Sequence, residues 1–193
     1  MPRRPKHKEA IVDAAVRLFR RGGYAATGLN DIVEASGAPK GSLYYYFPHG
    51  KPSIAEAAAI EAGRRVATTL QELATTATST ADLLQAHARQ LAGWMSKSGY
   101  RDGCPITTVL LELAPEDRAV TKAGRDAYAE RIAIFRQRLL DDGIVPARAA
   151  ALAAMYTSTL QGALIQARVE RSGRPLIDAA LELGELLPRP DVA

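Results

Sequence analysis

The run Lys40-Gly41-Ser42-Leu43-Tyr44-Tyr45-Tyr46 sets a cation, a bare backbone, a small hydroxyl and three phenols side by side. A nucleic acid asks for this set. Lys40 can meet a phosphate, Gly41 allows close approach, Ser42 can hydrogen-bond, and tyrosines offer apolar bodies with hydroxyl tips. Three consecutive tyrosines span most of a helix circumference, so they cannot all be core. At least one must meet solvent or a partner.

Other chemistries find little support. Cys104 is the single cysteine, and His7, His49 and His87 have no metal-ligand spacing. There is no Gly-rich phosphate loop, no nucleophile elbow and no histidine placed by a motif to serve Cys104. Neither an enzyme nor a bound metal or cofactor is expected. Arg101 could lower the Cys104 pKa, but Asp102 offsets it, so Cys104 reads more naturally as a small hydrophobe than as a sensor.

The 193 residues, 47% of them apolar, allow one or two soluble domains. A net charge of +4 is unevenly spread, because residues 1–51 hold nine Lys or Arg against four Asp or Glu. That leaves the N-terminal part at +5 and the remainder at −1, the electrostatic footprint of a polyanion partner. The basic start is followed by a charged amphipathic stretch, not the apolar core of a signal peptide. Residues 149–167 carry no charge, yet Thr157, Ser158, Thr159, Gln161, Gly162 and Gln166 suit burial among protein neighbours better than lipid. No membrane span is expected, and the cytoplasm is the expected compartment.

Helices must position the tyrosine run. Ile11, Ala14, Ala15, Leu18 and Phe19 form one apolar stripe that Gly22-Gly23 closes. Short helices follow at about 29–36, with Asp31 in the first turn and Gly37 past the end, and at about 40–47. A long helix starts near Lys51-Pro52 and runs to about Thr76. Thr78-Ser79-Thr80 caps a helix over 81–97, residues 99–105 form a loop, and further helices are expected at 105–113, 116–140, 146–170 and 175–187. No alternating pattern competes, so the fold is all-α with about nine helices.

Two short helices joined by Ser36-Gly37-Ala38-Pro39 have the spacing of a DNA-binding helix-turn-helix. The run from Gly23 to Phe47, GYAATGLNDIVEASGAPKGSLYYYF, resembles the DNA-binding signature of the TetR family, and the likeness continues through Lys51. It implies a three-helix DNA-binding domain over 1–50 and a helical ligand-binding and dimerisation domain over 51–193. It implies further that Thr27 and Lys51 hold phosphates, that Lys40 and Gly41 open the recognition helix, and that Ser42, Tyr44, Tyr45 and Tyr46 face DNA. Leu43 and Phe47 would be core. Gly28 and Pro39 stand where the family often has a hydroxyl residue, so their side chains cannot cap. The loop Pro48-His49-Gly50-Lys51 and the Gly103-Cys104-Pro105 run resemble the LmrA/YxaF-like group.

Trp94, Cys104, Tyr128, Met155 and Tyr156 are the candidates to line an effector pocket, since apolar pockets and cores share residue types. In the helix over 146–170, Leu152, Met155, Tyr156, Thr159 and Ala163 form one stripe, and Ala153, Leu160 and Leu164 another. Together with Ile177, Leu181 and Gly184 of the last helix, Leu160 and Leu164 are expected to face a second subunit. The expected function is a ligand-responsive regulator, a repressor, that binds a palindromic operator as a homodimer and is released by a small, largely apolar effector. The rival is a non-catalytic helical interaction module without sequence-specific DNA binding, favoured by Gly28 and Pro39.

Overall fold

A computed structural model describes residues 6–187, and among them it contains nine helices and no strand. In chain order these are α1 (Lys6–Gly22), α2 (Leu29–Ser36), α3 (Lys40–Tyr46), α4 (Lys51–Thr76), α5 (Thr80–Lys97), α6 (Thr107–Leu113), α7 (Arg118–Asp141), α8 (Pro146–Glu170) and α9 (Arg174–Glu185). The all-helical expectation holds, with small shifts at the ends that have local causes. Helix α7 begins at Arg118 rather than near Glu116 because the Asp117 carboxylate accepts the Ala119 and Val120 N–H groups, each at 3.0 Å. At α5, Ser79 caps by accepting from the Asp82 N–H at 3.2 Å.

The chain divides into two compact units. The first holds residues 6–65 together with Cys104–Ala127. Its core gathers Ile11, Ala15 and Phe19 of α1, Ile32 of α2, Leu43 of α3 with Phe47 just past its end, Ile54 and Ala58 of α4, and two residues from far along the sequence, Val109 of α6 and Val120 of α7. All three helices of the N-terminal motif therefore share their apolar interior with α6 and the first turns of α7. Gly124 lets that happen, since a methyl group there would overlap the Leu110 side chain.

Val66–Gly103 and residues 128–187 make up the second unit, in which α5, α8 and α9 pack on one another. Gly173 allows close approach, because a side chain there would meet Ala92 Cβ at 2.7 Å. Buried residues of α8 include Leu152, Ala153, Tyr156, Leu160, Ala163 and Leu164. Among the described residues, no helix is long and apolar enough to cross a membrane.

Candidate nucleic-acid interface

Turn chemistry joins α2 to α3. Gly37 adopts the left-handed conformation (φ 63°) that ends a helix, and its N–H reaches the Val33 and Glu34 carbonyls. Ser36 accepts the Ala38 N–H at 3.2 Å, and Arg17 of α1 donates to the Ala35 carbonyl at 3.1 Å, which ties the turn back to α1. As expected, neither Gly28 nor Pro39 makes a side-chain cap. The Asp31 carboxylate instead accepts the Gly28 N–H at 2.7 Å and supplies one half of a capping box.

Helix α3 is fixed by Leu43, fully buried, and by Phe47 just beyond it. With those two facing inward, the rest of the helix is presented outward. Tyr45 is 79% and Tyr44 49% exposed, whereas Tyr46 is half-buried against the core and stands edge-on to the Tyr45 ring at 4.9 Å. Lys40 and Gly41 are exposed and Ser42 partly so. No atom lies within 4 Å of where a Gly41 side chain would start. A glycine inside a helix costs on the order of 1 kcal/mol against alanine, and the chain's own packing gives no reason for it here.

The turn between α1 and α2 is the second part of the site. Gly23 (φ 85°) ends α1. The Glu112 carboxylate of α6 then accepts two successive backbone N–H groups, from Tyr24 at 2.7 Å and Ala25 at 2.6 Å. A side chain at Gly23 would overlap Glu112 Oε1, so the clamp needs glycine twice over, for conformation and for room. Lys51 completes the cluster, with Nζ 4.2 Å from the centre of the Tyr24 ring and 3.4 Å from the Ala25 carbonyl. The Tyr24 hydroxyl titrates above its ordinary range, first through burial and then through the nearby Asp117 and Glu112 charges. Thr27 is buried, and its hydroxyl donates to the Gly23 carbonyl at 2.8 Å. Thr27 and Lys51 thus meet at one turn, Lys51 through the Ala25 carbonyl and Thr27 through Gly23, while α3 presents the tyrosines and Lys40.

The remaining candidates are not gathered into one site. Cys104 belongs to the first unit, where its carbonyl accepts from Thr108 near the start of α6, and Trp94, Tyr128, Met155 and Tyr156 belong to the second. Trp94 and Met155 are each 38% exposed and Tyr128 is half-buried. Tyr156 is buried; its hydroxyl donates to the Leu84 carbonyl at 3.1 Å, lies 3.3 Å from His87 Nδ1, and its ring meets Phe135 edge-on at 4.5 Å. Beside it lies a void of about 10 Å³ lined by Thr80, Leu84, Phe135 and Leu152, among others. Leu160 and Leu164 need correcting: at 1% and 9% exposure they lie in the core of this chain and have almost no surface to offer a second one. Ile177 and Gly184 are half-buried and Leu181 is exposed. Sequence reasoning missed Glu112 and the buried Arg131 altogether. No group of three or more potential metal ligands occurs among the described residues.

Two family models cover most of this architecture. Residues 11–58 match the bacterial TetR regulatory-protein model, and residues 80–182 match the C-terminal domain of LmrA/YxaF-like transcriptional regulators. The chain is 30% identical to the HTH-type transcriptional regulator LmrA of Bacillus subtilis over 182 residues, which span 94% of this chain and 97% of LmrA. The chain belongs to the TetR family of transcriptional regulators. A TetR regulator from Legionella pneumophila has the same fold, with a TM-score of 0.84 at 18% identity over 97% of this chain and 100% of that one. So does the regulator CifR, as a cysteine mutant complexed with a 26 bp operator DNA, at a TM-score of 0.76 and 21% identity over 93% and 96% of the two chains. This TetR-family member is accordingly a DNA-binding regulator, with its helix-turn-helix at α2 and α3.

Proposed function

We propose that this regulator is a cytoplasmic repressor which binds a palindromic operator as a homodimer and lets go when a small effector occupies its C-terminal domain. The outward face of α3 carries the proposal. Tyr44 and Tyr45 stand in solvent beside Lys40, next to a glycine that the protein's own packing does not require. Residues 1–50 then supply DNA recognition and residues 51–193 effector binding and dimerisation. Ser42 and Tyr46 take the flanks of the base-reading surface, Lys51 and Lys40 pair with phosphates, and Thr27 acts by holding the turn under Lys51.

A dimer is needed because two recognition helices must reach successive major grooves, roughly 34 Å apart. Helix α8 offers the surface: Ala154, Ser158, Gly162, Ile165 and Val169 are all exposed and fall on one stripe at helical spacing. Leu181 of α9, 43% exposed, adds to the apolar area. This stripe replaces Leu160 and Leu164 as the interface. Trp94, Tyr128 and Met155 are the residues offered to an effector. An effector that binds better to the form with misplaced heads weakens DNA binding by the same factor, typically about 5- to 150-fold.

The decisive experiment is a footprint on the promoter region beside the protein's own gene, repeated at several salt concentrations. Protection of a two-fold symmetric site, weakening as salt rises, is expected. Equal affinity for that region and for random duplex would overturn the proposal in favour of a non-specific helical module.

A further inference from the structure

Helix α7 buries one face in regular steps, Val120, Ala123, Ala127, Arg131, Phe135 and Leu139, and every member but one is apolar. The exception is Arg131. It is 4% exposed, and among the described residues it has neither a hydrogen bond nor an ion pair; its Nε is buried without a partner. Its guanidinium carbon lies 5.5 Å from the centre of the Tyr128 ring. A buried guanidinium without a counter-charge is among the costliest groups a core can hold, and arginine, unlike lysine, cannot shed its proton to escape.

The two titratable groups that feel its charge, His87 and Tyr156, cannot supply a counter-charge. His87 is buried with its pKa drawn down to about 3, first by burial and then by the Arg131 charge, so it stays neutral at physiological pH. Burial pushes the Tyr156 phenol up, out of reach of ionisation, and its proton is already committed to the Leu84 carbonyl. Aromatic rings pack around these groups: Phe135 lies 4.5 Å from the Tyr156 ring and 6.1 Å from His87, and half-buried Tyr128 lies over the guanidinium. Thr80, whose buried hydroxyl has no hydrogen-bond partner, also lines the void beside Phe135 and Tyr156.

We infer that Arg131 is the anion-binding anchor of the effector site, and that the effector is an organic acid whose carboxylate or similar group pairs with the guanidinium while an aromatic or aliphatic body packs on Tyr128, Phe135 and Tyr156. The inference rests on the effector reading above and narrows it from largely apolar molecules to amphiphilic anions. A fork of N–H donors suits a planar two-oxygen acceptor. Inorganic anions would leave the aromatic walls unused, so an apolar body is part of the requirement.

Matched probes test it: anilinonaphthalenesulfonate against neutral phenylnaphthylamine, and dodecanoate against dodecanol, titrated into the full chain by fluorescence or calorimetry. The charged member of at least one pair is expected to bind about tenfold or more tighter. In Arg131→Met that preference disappears while neutral-probe affinity stays within about twofold, and Arg131→Lys restores part of it. Equal affinity within both pairs, or a preference that survives Arg131→Met, overturns the inference. So does displacement of the bound probe by inorganic phosphate at matched ionic strength. The ligand-free midpoint provides a check independent of any probe: Arg131→Met should unfold at a higher temperature than wild type, because an uncompensated charge has been removed. A lower midpoint means the charge is already neutralised and overturns the site. Operator release separates the two readings, since Arg131-dependent probe binding that leaves DNA affinity unchanged keeps the anion site and overturns the effector function.

Discussion

Turning the Glu112 carboxylate into an amide exchanges a single oxygen for an NH2 group, which makes Glu112→Gln the sharpest probe of how α6 holds the DNA-binding head. The carboxylate accepts the Tyr24 and Ala25 N–H groups at 2.7 and 2.6 Å, one on each oxygen. Glutamine keeps an acceptor for one of them and turns a donor toward the other. Glu112 is exposed, so each bond is worth the ordinary net value of about 1 kcal/mol and not the larger value of a sheltered ionic one. Glu112→Gln should therefore cost about 1 kcal/mol of stability, and Glu112→Ala about 2 kcal/mol, read as a shift in urea midpoint at unchanged slope. The same loss should reach DNA, because Lys51 rests on the Tyr24 ring and the Ala25 carbonyl of the clamped turn. If operator binding has to rebuild the turn in both subunits, Glu112→Gln loses about 2 kcal/mol, roughly thirtyfold in affinity by fluorescence anisotropy. Gly23→Ala should mimic it, and combining Gly23→Ala with Glu112→Ala should cost less than the two separately, since both break one clamp. Wild-type affinity and an unmoved midpoint in Glu112→Gln would refute the reasoning.

Three further outcomes follow from the geometry. His87 has a folded-state pKa far below that of the unfolded chain, so below about pH 6.5 only the unfolded form takes up the proton and stability falls on acidification. At about 1.4 kcal/mol per pH unit, wild type should lose about 2 kcal/mol more than His87→Asn between pH 7 and pH 5; parallel urea midpoints would contradict this. Lys51→Ala should weaken operator and random duplex by the same factor and flatten the salt dependence by about one unit of slope, as loss of a phosphate contact does. Tyr45→Ala should cost operator binding more than random-duplex binding; equal loss would make Tyr45 a backbone-positioning residue.

What could be read from the sequence was local. Leu43 facing inward, Gly37 as the stop of α2 and at least one tyrosine in solvent follow from spacing within a few residues, Phe47 as core from the family resemblance, and the structure places them so. The clamp could not be read, because Glu112 lies 88 residues from Tyr24 and looks like any surface glutamate on a short helix. Helix α8 shows a second limit. Apolar and small residues cover nearly its whole circumference, so periodicity yields two stripes without saying which faces inward, and Leu160 and Leu164 turn out to be core while Ile165 and Val169 are exposed. Arg131 was hidden by a sound general rule, that arginines on helices are solvated.

Sequence likeness and packing draw the boundary of this protein in different places, and the mismatch bears on how an effector can be felt at the operator. The LmrA/YxaF-like C-terminal model begins at residue 80 and so includes α6 and all of α7, yet Cys104–Ala127 packs in the same compact unit as the helix-turn-helix. Val120, fully buried in that unit's core, and Arg131, buried in the other unit, lie on one unbroken α-helix. The one glycine of this helix, Gly124, also lies where a side chain would overlap Leu110 of α6. On the proposed reading, an anion paired with Arg131 would act on the same helix that packs against Leu110, and α6 in turn carries Glu112 to the turn beneath Lys51. On this chain of contacts, filling Gly124 should uncouple effector from operator without touching either site: Gly124→Ala must push Leu110 away from α7. Its operator affinity in the absence of probe should change less than the factor by which an anionic probe releases it. Unchanged release by the probe in Gly124→Ala would exclude α7 and α6 as the route.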